Sequence, residues 1–296
     1  MDWSLLQYGF MHKALLAGLL GGIACALTGV LVVTMRISAI GICVAHAAFA
    51  GALLGILLGA GPLGPAFLTS FLVAGILGPL TDKADVAPDT VVGILFSTML
   101  GLAFLFLGLM TGPRTEALDL FWGSILTATW FDIKVLAAVT AALLLGLALF
   151  FKEIQAVLCH RAVALAVGVP ATLVYYAMLF SVGAAVAASL RSIGGLLIYG
   201  LIINPAAAAY QLSYSLKRIF VLACLFAVGS SWGGLLLATV LDVPAGAMIV
   251  LLSTGIFVAA TLLSPKSPRA ASFLHRLQTA FSGRVSARDK ARENTP

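Results

Sequence analysis

Imidazole is well suited to hold a transition metal, and one of this sequence's four histidines stands inside a long apolar run. His46 follows Arg36-Ile37-Ser38-Ala39-Ile40-Gly41-Ile42-Cys43-Val44-Ala45. If Arg36 marks the inner boundary of a bilayer, ten helical residues carry His46 about 15 Å inward, near the midplane. An ionisable group at that depth is expensive and is a functional candidate by default. The alternative at the same position is a packing histidine, hydrogen-bonded to a neighbouring helix. Cys43 lies three residues earlier and can reach the same site with a sulfur. It also belongs to a stripe of small residues, Ala39, Cys43, Ala47, Gly51, Gly55 and Gly59, spaced every four. Residues at that spacing share one helix face, and a face so bare lets another helix approach closely.

Other chemistry is missing. No lysine follows a glycine, so the phosphate loop G-x-x-x-x-G-K-[ST] is absent and the chain has no such route to hydrolysing ATP. There is no H-E-x-x-H pair on which a zinc peptidase could be built. The four cysteines, Cys25, Cys43, Cys159 and Cys224, are scattered without a C-x-x-C pair and are expected to be small apolar fillers.

The elements that would position His46 follow from composition. Of 296 residues 61% are hydrophobic and 9% charged, against roughly half and a quarter in a soluble domain. That surplus must face lipid or other lipid-buried helices. The expectation is an all-α, polytopic integral membrane protein of about eight or nine transmembrane helices. The apolar runs lie at roughly 14–34, 39–60, 64–80, 91–111, 134–151, 171–190, 194–212, 219–240 and 244–263. The third and seventh are short or interrupted, which leaves eight open. None of these runs holds a carboxylate, which counts against an ion-coupled secondary transporter. Residues 1–263 are expected to form one transmembrane domain and 264–296 a basic cytoplasmic tail.

Basic residues orient the chain. With the tail inside and nine crossings, the inner side holds Arg36, Lys83, Lys152, Arg161, Lys217, Arg218 and the tail's Lys266, Arg269, Arg276, Arg284, Arg288, Lys290 and Arg292. The outer side keeps Lys13, Arg114, Lys134 and Arg191. The split favours this orientation, with the amino terminus outside. Phe273, Leu277 and Phe281 give the tail an apolar stripe that could lie on the anionic inner leaflet. The net charge of +6 sits mostly in this tail and needs no nucleic acid to explain it.

Several segments resemble the permease subunits of zinc, manganese and iron importers of the ATP-binding-cassette class. Ser38 to Ala47, with Gly51, is similar to the family's S-L-L-G-D-A-L-S-H-A-x-x-x-G. Leu120-Phe121-Trp122-Gly123-Ser124-Ile125-Leu126 resembles its L-x-F-G-x-I-L. Gly195 to Ala207 resembles its G-x-L-L-x-x-x-L-L-x-x-P-A-A, and Ala162 to Val169 its A-x-x-x-G-V. The order matches, over residues 14 to about 263. The resemblance implies a permease in the cell membrane that works as a homodimer. Its partners would be a cytoplasmic ATP-binding subunit, which uses the ATP, and an extracytoplasmic metal-binding protein. The chain itself would bind no cofactor and would be no enzyme. His46, with Cys43, would contact the metal. Arg161, Ala164, Gly168 and Val169 would lie on a short helix that contacts the ATPase. Two departures stand out: Ile42 where the family usually has Asp, and Ala45 where it has Ser. The missing carboxylate keeps a metal chelate or another small solute open as cargo.

Overall fold

The computed structural model describes residues 9–83, 87–110, 115–123 and 125–266. The amphipathic stretch expected in the tail lies outside the described residues. Among the described residues twelve helices follow in order: α1 (Gly9–Thr34), α2 (Ile40–Leu57), α3 (Leu63–Lys83), α4 (Pro88–Leu109), α5 (Thr115–Trp122), α6 (Trp130–Leu149), α7 (Phe151–Cys159), α8 (Arg161–Ala166), α9 (Ala171–Ile193), α10 (Gly195–Leu212), α11 (Leu216–Leu241) and α12 (Ala245–Leu262). A single 3-10 turn, Ile125–Thr127, stands between α5 and α6. Eight of the helices are long and apolar enough to cross a membrane, and α10 is a shorter apolar ninth. The interrupted run at 64–80 is thus a full 21-residue helix, with Pro79 near its end. The run at 134–151 begins earlier, because Thr129 and Asp132 cap α6 reciprocally.

Side-chain neighbours fix the helix directions. Gly18 lies against Ser231 and Gly22 against Ala227, so α1 and α11 are antiparallel. Gly41 meets Tyr199 while Gly195 meets Ala45 and Phe49, so α2 opposes α10. Gly183 meets Ser70 and Gly78 meets Tyr176, so α3 opposes α9. Leu197 touches Gly246, and the Asn204 amide donates to Thr254 Oγ1 at 2.9 Å, so α10 and α12 run together. Joined by short connections, α1, α2, α3, α4, α6, α9, α10, α11 and α12 alternate in direction. One end of the bundle gathers Arg36, Lys152, Arg161, Lys217, Arg218 and Lys266, and the other gathers Lys13, Lys134 and Arg191. Among the described residues, these members of the two groups that the charge distribution separated lie at opposite ends.

Close backbone approach replaces bulky packing where helices cross. A Cβ on Gly29 would collide with the Ile202 carbonyl, and one on Gly51 with Thr69 Oγ1 and the Pro65 carbonyl. Gly51 and Gly55 of the small-residue stripe therefore seat the start of α3, while Gly59 lies past the end of α2 in open space. Thr69 Oγ1 adds a hydrogen bond to the Ala47 carbonyl at 2.7 Å, and Thr140 Oγ1 one to the Leu20 carbonyl at 3.2 Å. Trp232 Nε1 donates to the Leu15 carbonyl at 3.0 Å. Each such bond is worth about 0.6 kcal/mol in a membrane protein.

Candidate functional site

Three of the motif segments converge on one place. α2 carries His46, the end of α5 brings Phe121, and the start of α10 lies against Ala45 and Phe49. The chain reaches α2 through a sharp turn. Arg36 adopts left-handed backbone, φ 59°, with Ile37 N–H bonded to the Val32 carbonyl and Arg36 N–H to that of Val33. This is a Schellman ending, and it stops α1. Helical rise on α2 therefore counts from Ile40 and not from Arg36. His46 lies six residues along, about 9 Å from the helix start. α2 is 18 residues long, so this is within about one turn of the middle of the helix.

The ring is 6% exposed. Nδ1 lies 2.9 Å from the Ile42 carbonyl oxygen. A carbonyl only accepts, so Nδ1 carries the proton and Nε2 keeps its lone pair. The histidine is thus held in the tautomer that ligates through Nε2. Its ring packs edge-on against Phe96 of α4 at 4.8 Å between centroids and faces Phe121 at 6.4 Å. Phe121 in turn packs on Phe49 at 5.1 Å. Sequence reasoning missed this aromatic wall. Phe121 stood within a quoted motif, whereas Phe96 had no signal beyond being apolar.

Cys43 is fully buried. It stands three positions before His46, so its direction from the helix axis differs by about 60°. No group of three or more His, Cys, Asp or Glu gathers among the described residues. At position 42 the side chain is aliphatic, and that residue contributes its carbonyl to His46 instead.

Phe121 is held in place by an irregular segment. Gly123 has φ +69°, and a Cβ there would collide with the Ile193 carbonyl and Gly194. Only glycine fits both the backbone and the space. The turn that follows buries Ile125 beside Gly18 of α1. Close by, Asp132 Oδ1 pairs with Arg191 Nη1 at 3.4 Å and ties α6 to α9. Thr129 Oγ1 and N–H both donate to the other carboxylate oxygen, at 2.6 and 3.0 Å.

At the opposite end, the segment expected to hold a short helix holds α8, and a second short helix, α7, precedes it. Ala164 is buried, while Val163, Leu165 and Val167 are exposed, Val167 at 71%. Arg161 lies over the Tyr175 ring at 4.5 Å. Gly168 turns with φ +85° in open space, and Val169 N–H bonds to the Ala164 carbonyl at 3.0 Å. The turn presents an apolar knob away from the bundle.

One further motif is decided by its setting. Gly229-Ser230-Ser231-Trp232-Gly233 matches G-x-S-x-G, which on a strand-to-helix elbow would expose a nucleophilic serine. Here it lies inside α11, and Ser231 Oγ is buried and donates to the Ala227 carbonyl at 2.8 Å. It is helix packing against α1.

Comparison with known proteins agrees with this geometry. The family model described as the ABC 3 transport family matches residues 7–264. The manganese transport system membrane protein MntC of Halalkalibacterium halodurans is 28% identical over 262 residues, covering 88% of this chain and 90% of that protein. A probable iron transport system membrane protein of Haemophilus influenzae is 27% identical over 261 residues, covering 88% and 92%. The solved structure of PsaBC from Streptococcus pneumoniae in complex with Fab superposes with a TM-score of 0.80 at 28% identity, covering 89% of this chain and 95% of that one.

Proposed function

The chain belongs to the ABC 3 transport family, and from that premise we propose that it forms the translocation path for a transition-metal ion of the manganese and iron class. It is a multi-pass transport subunit and not an enzyme. The hydrolysis of ATP belongs to a partner. The observation that carries the metal reading is His46, buried where α2, α4 and α5 meet, with Nδ1 committed to Ile42 and Nε2 left for a ligand. Relatives named as manganese and iron permeases match nearly end to end, which supports the same cargo.

A single nitrogen is a weak site. Import needs weak, transient binding, so that the ion entering from the outer side leaves toward the inner one. A second permease copy would bring a second His46 to the path, which supports a homodimer. Cys43 is buried and is proposed to serve packing, with a smaller contribution to the ion. The exposed knob of α8, with Arg161, Ala164, Gly168 and Val169 around it, would dock on the ATPase. An extracytoplasmic metal-binding protein would deliver the ion at the end that holds α5. Ile42 favours a second reading, a metal chelate as cargo, because the aliphatic side chain removes the hard oxygen donor that Mn²⁺ prefers.

The test is ATP-driven metal uptake by proteoliposomes holding the full complex. His46→Ala is expected to cut uptake by about tenfold, the scale of a lost metal contact, while the complex still assembles. Ile42→Asp is expected to tighten divalent binding and slow release. Wild-type rates for every metal tested in His46→Ala would reduce His46 to a packing residue.

A further inference from the structure

The inner halves of α6 and α9 stand apart. Asp132 and Arg191 hold the two helices together at the outer end. Toward the inner end, α7 closes the base and a cavity of about 500 Å³ opens between them. That volume falls within the range of about 300–1,000 Å³ typical of ligand sites. Its mouth faces the surroundings of the bundle, between Ala142 and Gly146 on one side and Leu173 and Ala177 on the other. Leu173 is 69% exposed, and a Cβ on Gly146 would meet nothing within 4 Å.

The lining decides the class of occupant. Its only hydroxyls belong to Thr28 and Ser181. Thr28 Oγ1 donates to the Ala24 carbonyl at 2.9 Å and Ser181 Oγ to the Ala177 carbonyl at 2.7 Å, so both are spent within their own helices. No polar group is left to coordinate an ion or orient a polar solute, and the cavity takes an apolar chain. Cations outnumber the carboxylate of Glu153 around its inner end. Lys217 lies 5.5 Å over the Phe151 ring, which packs on Phe220 of the cavity wall. Arg161 lies over Tyr175, the neighbour of the lining residue Val174, and Lys152 follows Phe151. An apolar slot in the inner half of a bilayer, opening sideways and rimmed by cations at the headgroup level, has the complementarity of an anionic lipid.

We propose that this cleft binds one acyl chain of an anionic phospholipid of the inner leaflet, with the headgroup on Lys217 and its cationic neighbours. Because α7 closes the base and packs on α8, the bound lipid would steady the segment proposed to face the ATPase. The site rests on the membrane orientation alone and stands whatever ion is carried.

The full complex, in vesicles mixing phosphatidylglycerol with phosphatidylcholine, tests it. Each lipid in turn carries a photoreactive group on one acyl chain, and the adducts are mapped by mass spectrometry. Phosphatidylglycerol adducts are expected to concentrate on 142–147 and 173–181 and to exceed those on the lipid-exposed face of α12, at Leu251 and Val258. The phosphatidylcholine probe is expected to label the cleft about fivefold less, the scale of one basic residue near an anionic surface. Lys217→Gln should remove most of that preference, and Gly146→Trp should abolish cleft adducts while leaving those on α12. Three results would overturn the proposal: cleft labelling no higher than on α12, equal labelling by the two lipids, or an unlabelled cleft covered by a second permease copy. The wild-type comparison decides even if Gly146→Trp fails to fold.

Discussion

At the residue scale, His46 is an unusual combination of burial and readiness. Its aromatic walls exclude other donors, and the Ile42 carbonyl sets its tautomer without consuming Nε2. Cys43 differs, because it is fully buried and set about 60° around the helix from His46. Cys43→Ala is therefore expected to lower metal uptake less than twofold, whereas a sulfur ligand would cost about tenfold; transport assays on the two variants side by side separate these outcomes. The glycines divide just as sharply. Gly51→Val forces a side chain into the Pro65 backbone and should destabilise the protein by about 3 kcal/mol or more. Gly101→Ala, in open space on α4, should leave stability unchanged or raise it by about 0.5–1 kcal/mol. Thermal unfolding in detergent checks both, and equal behaviour would contradict the close α2–α3 approach.

Elements, not residues, explain how the site is held. α5 and the turn after it interrupt the succession of long helices and bring Phe121 to His46. Asp132 serves that region twice, as the cap of α6 and as the partner of Arg191. Asp132→Ala is expected to cost about 2–3 kcal/mol, since both a cap and a largely buried ion pair are lost. Arg191→Gln removes only the pair, and with Arg191 partly exposed it should cost about 1 kcal/mol. Chemical denaturation that ranks the two variants the other way would remove Asp132 from this role. On the inner end, Val167→Glu places a charge on the exposed knob of α8 without touching the bundle. It is expected to weaken association with the ATPase subunit by about tenfold or more while the permease folds normally; co-purification at native strength would place the docking surface elsewhere. Gly168 is a poorer probe, because its positive φ makes any substitution strain the turn.

For the whole molecule, much of the architecture was legible because a bilayer leaves so few choices. Apolar runs of sufficient length must be helices, and the small stripe of α2 announced a close partner before α3 was seen against it. The basic residues sorted into two groups, and the alternating helices gather the same groups at opposite ends. What the sequence hid was tertiary or local. Counting helical rise from Arg36 overlooked that residue's left-handed turn, which delays the start of α2 to Ile40. Phe96 reaches the site only through the packing of α4 on α2, for which periodicity carries no signal. The capping pair of α6 was visible as Thr129-Trp130-Phe131-Asp132, yet the apolar run drew attention past it. Orientation follows from the same charge pattern, and a cysteine placed at Ser286 in a cysteine-free background should resist a membrane-impermeant label added from outside. Strong labelling there would invert the molecule.

The central claim, that this permease moves a metal ion, is tested most directly by the cargo itself. The complete complex, reconstituted with its ATPase and binding protein, is supplied with manganese or iron as the free ion, and in parallel with the same metal held in a chelate. Accumulation of the free ion inside the vesicles that requires ATP and falls sharply in His46→Ala is the predicted result. Uptake of the chelate alone, indifferent to His46, would contradict it and make the chelate the cargo.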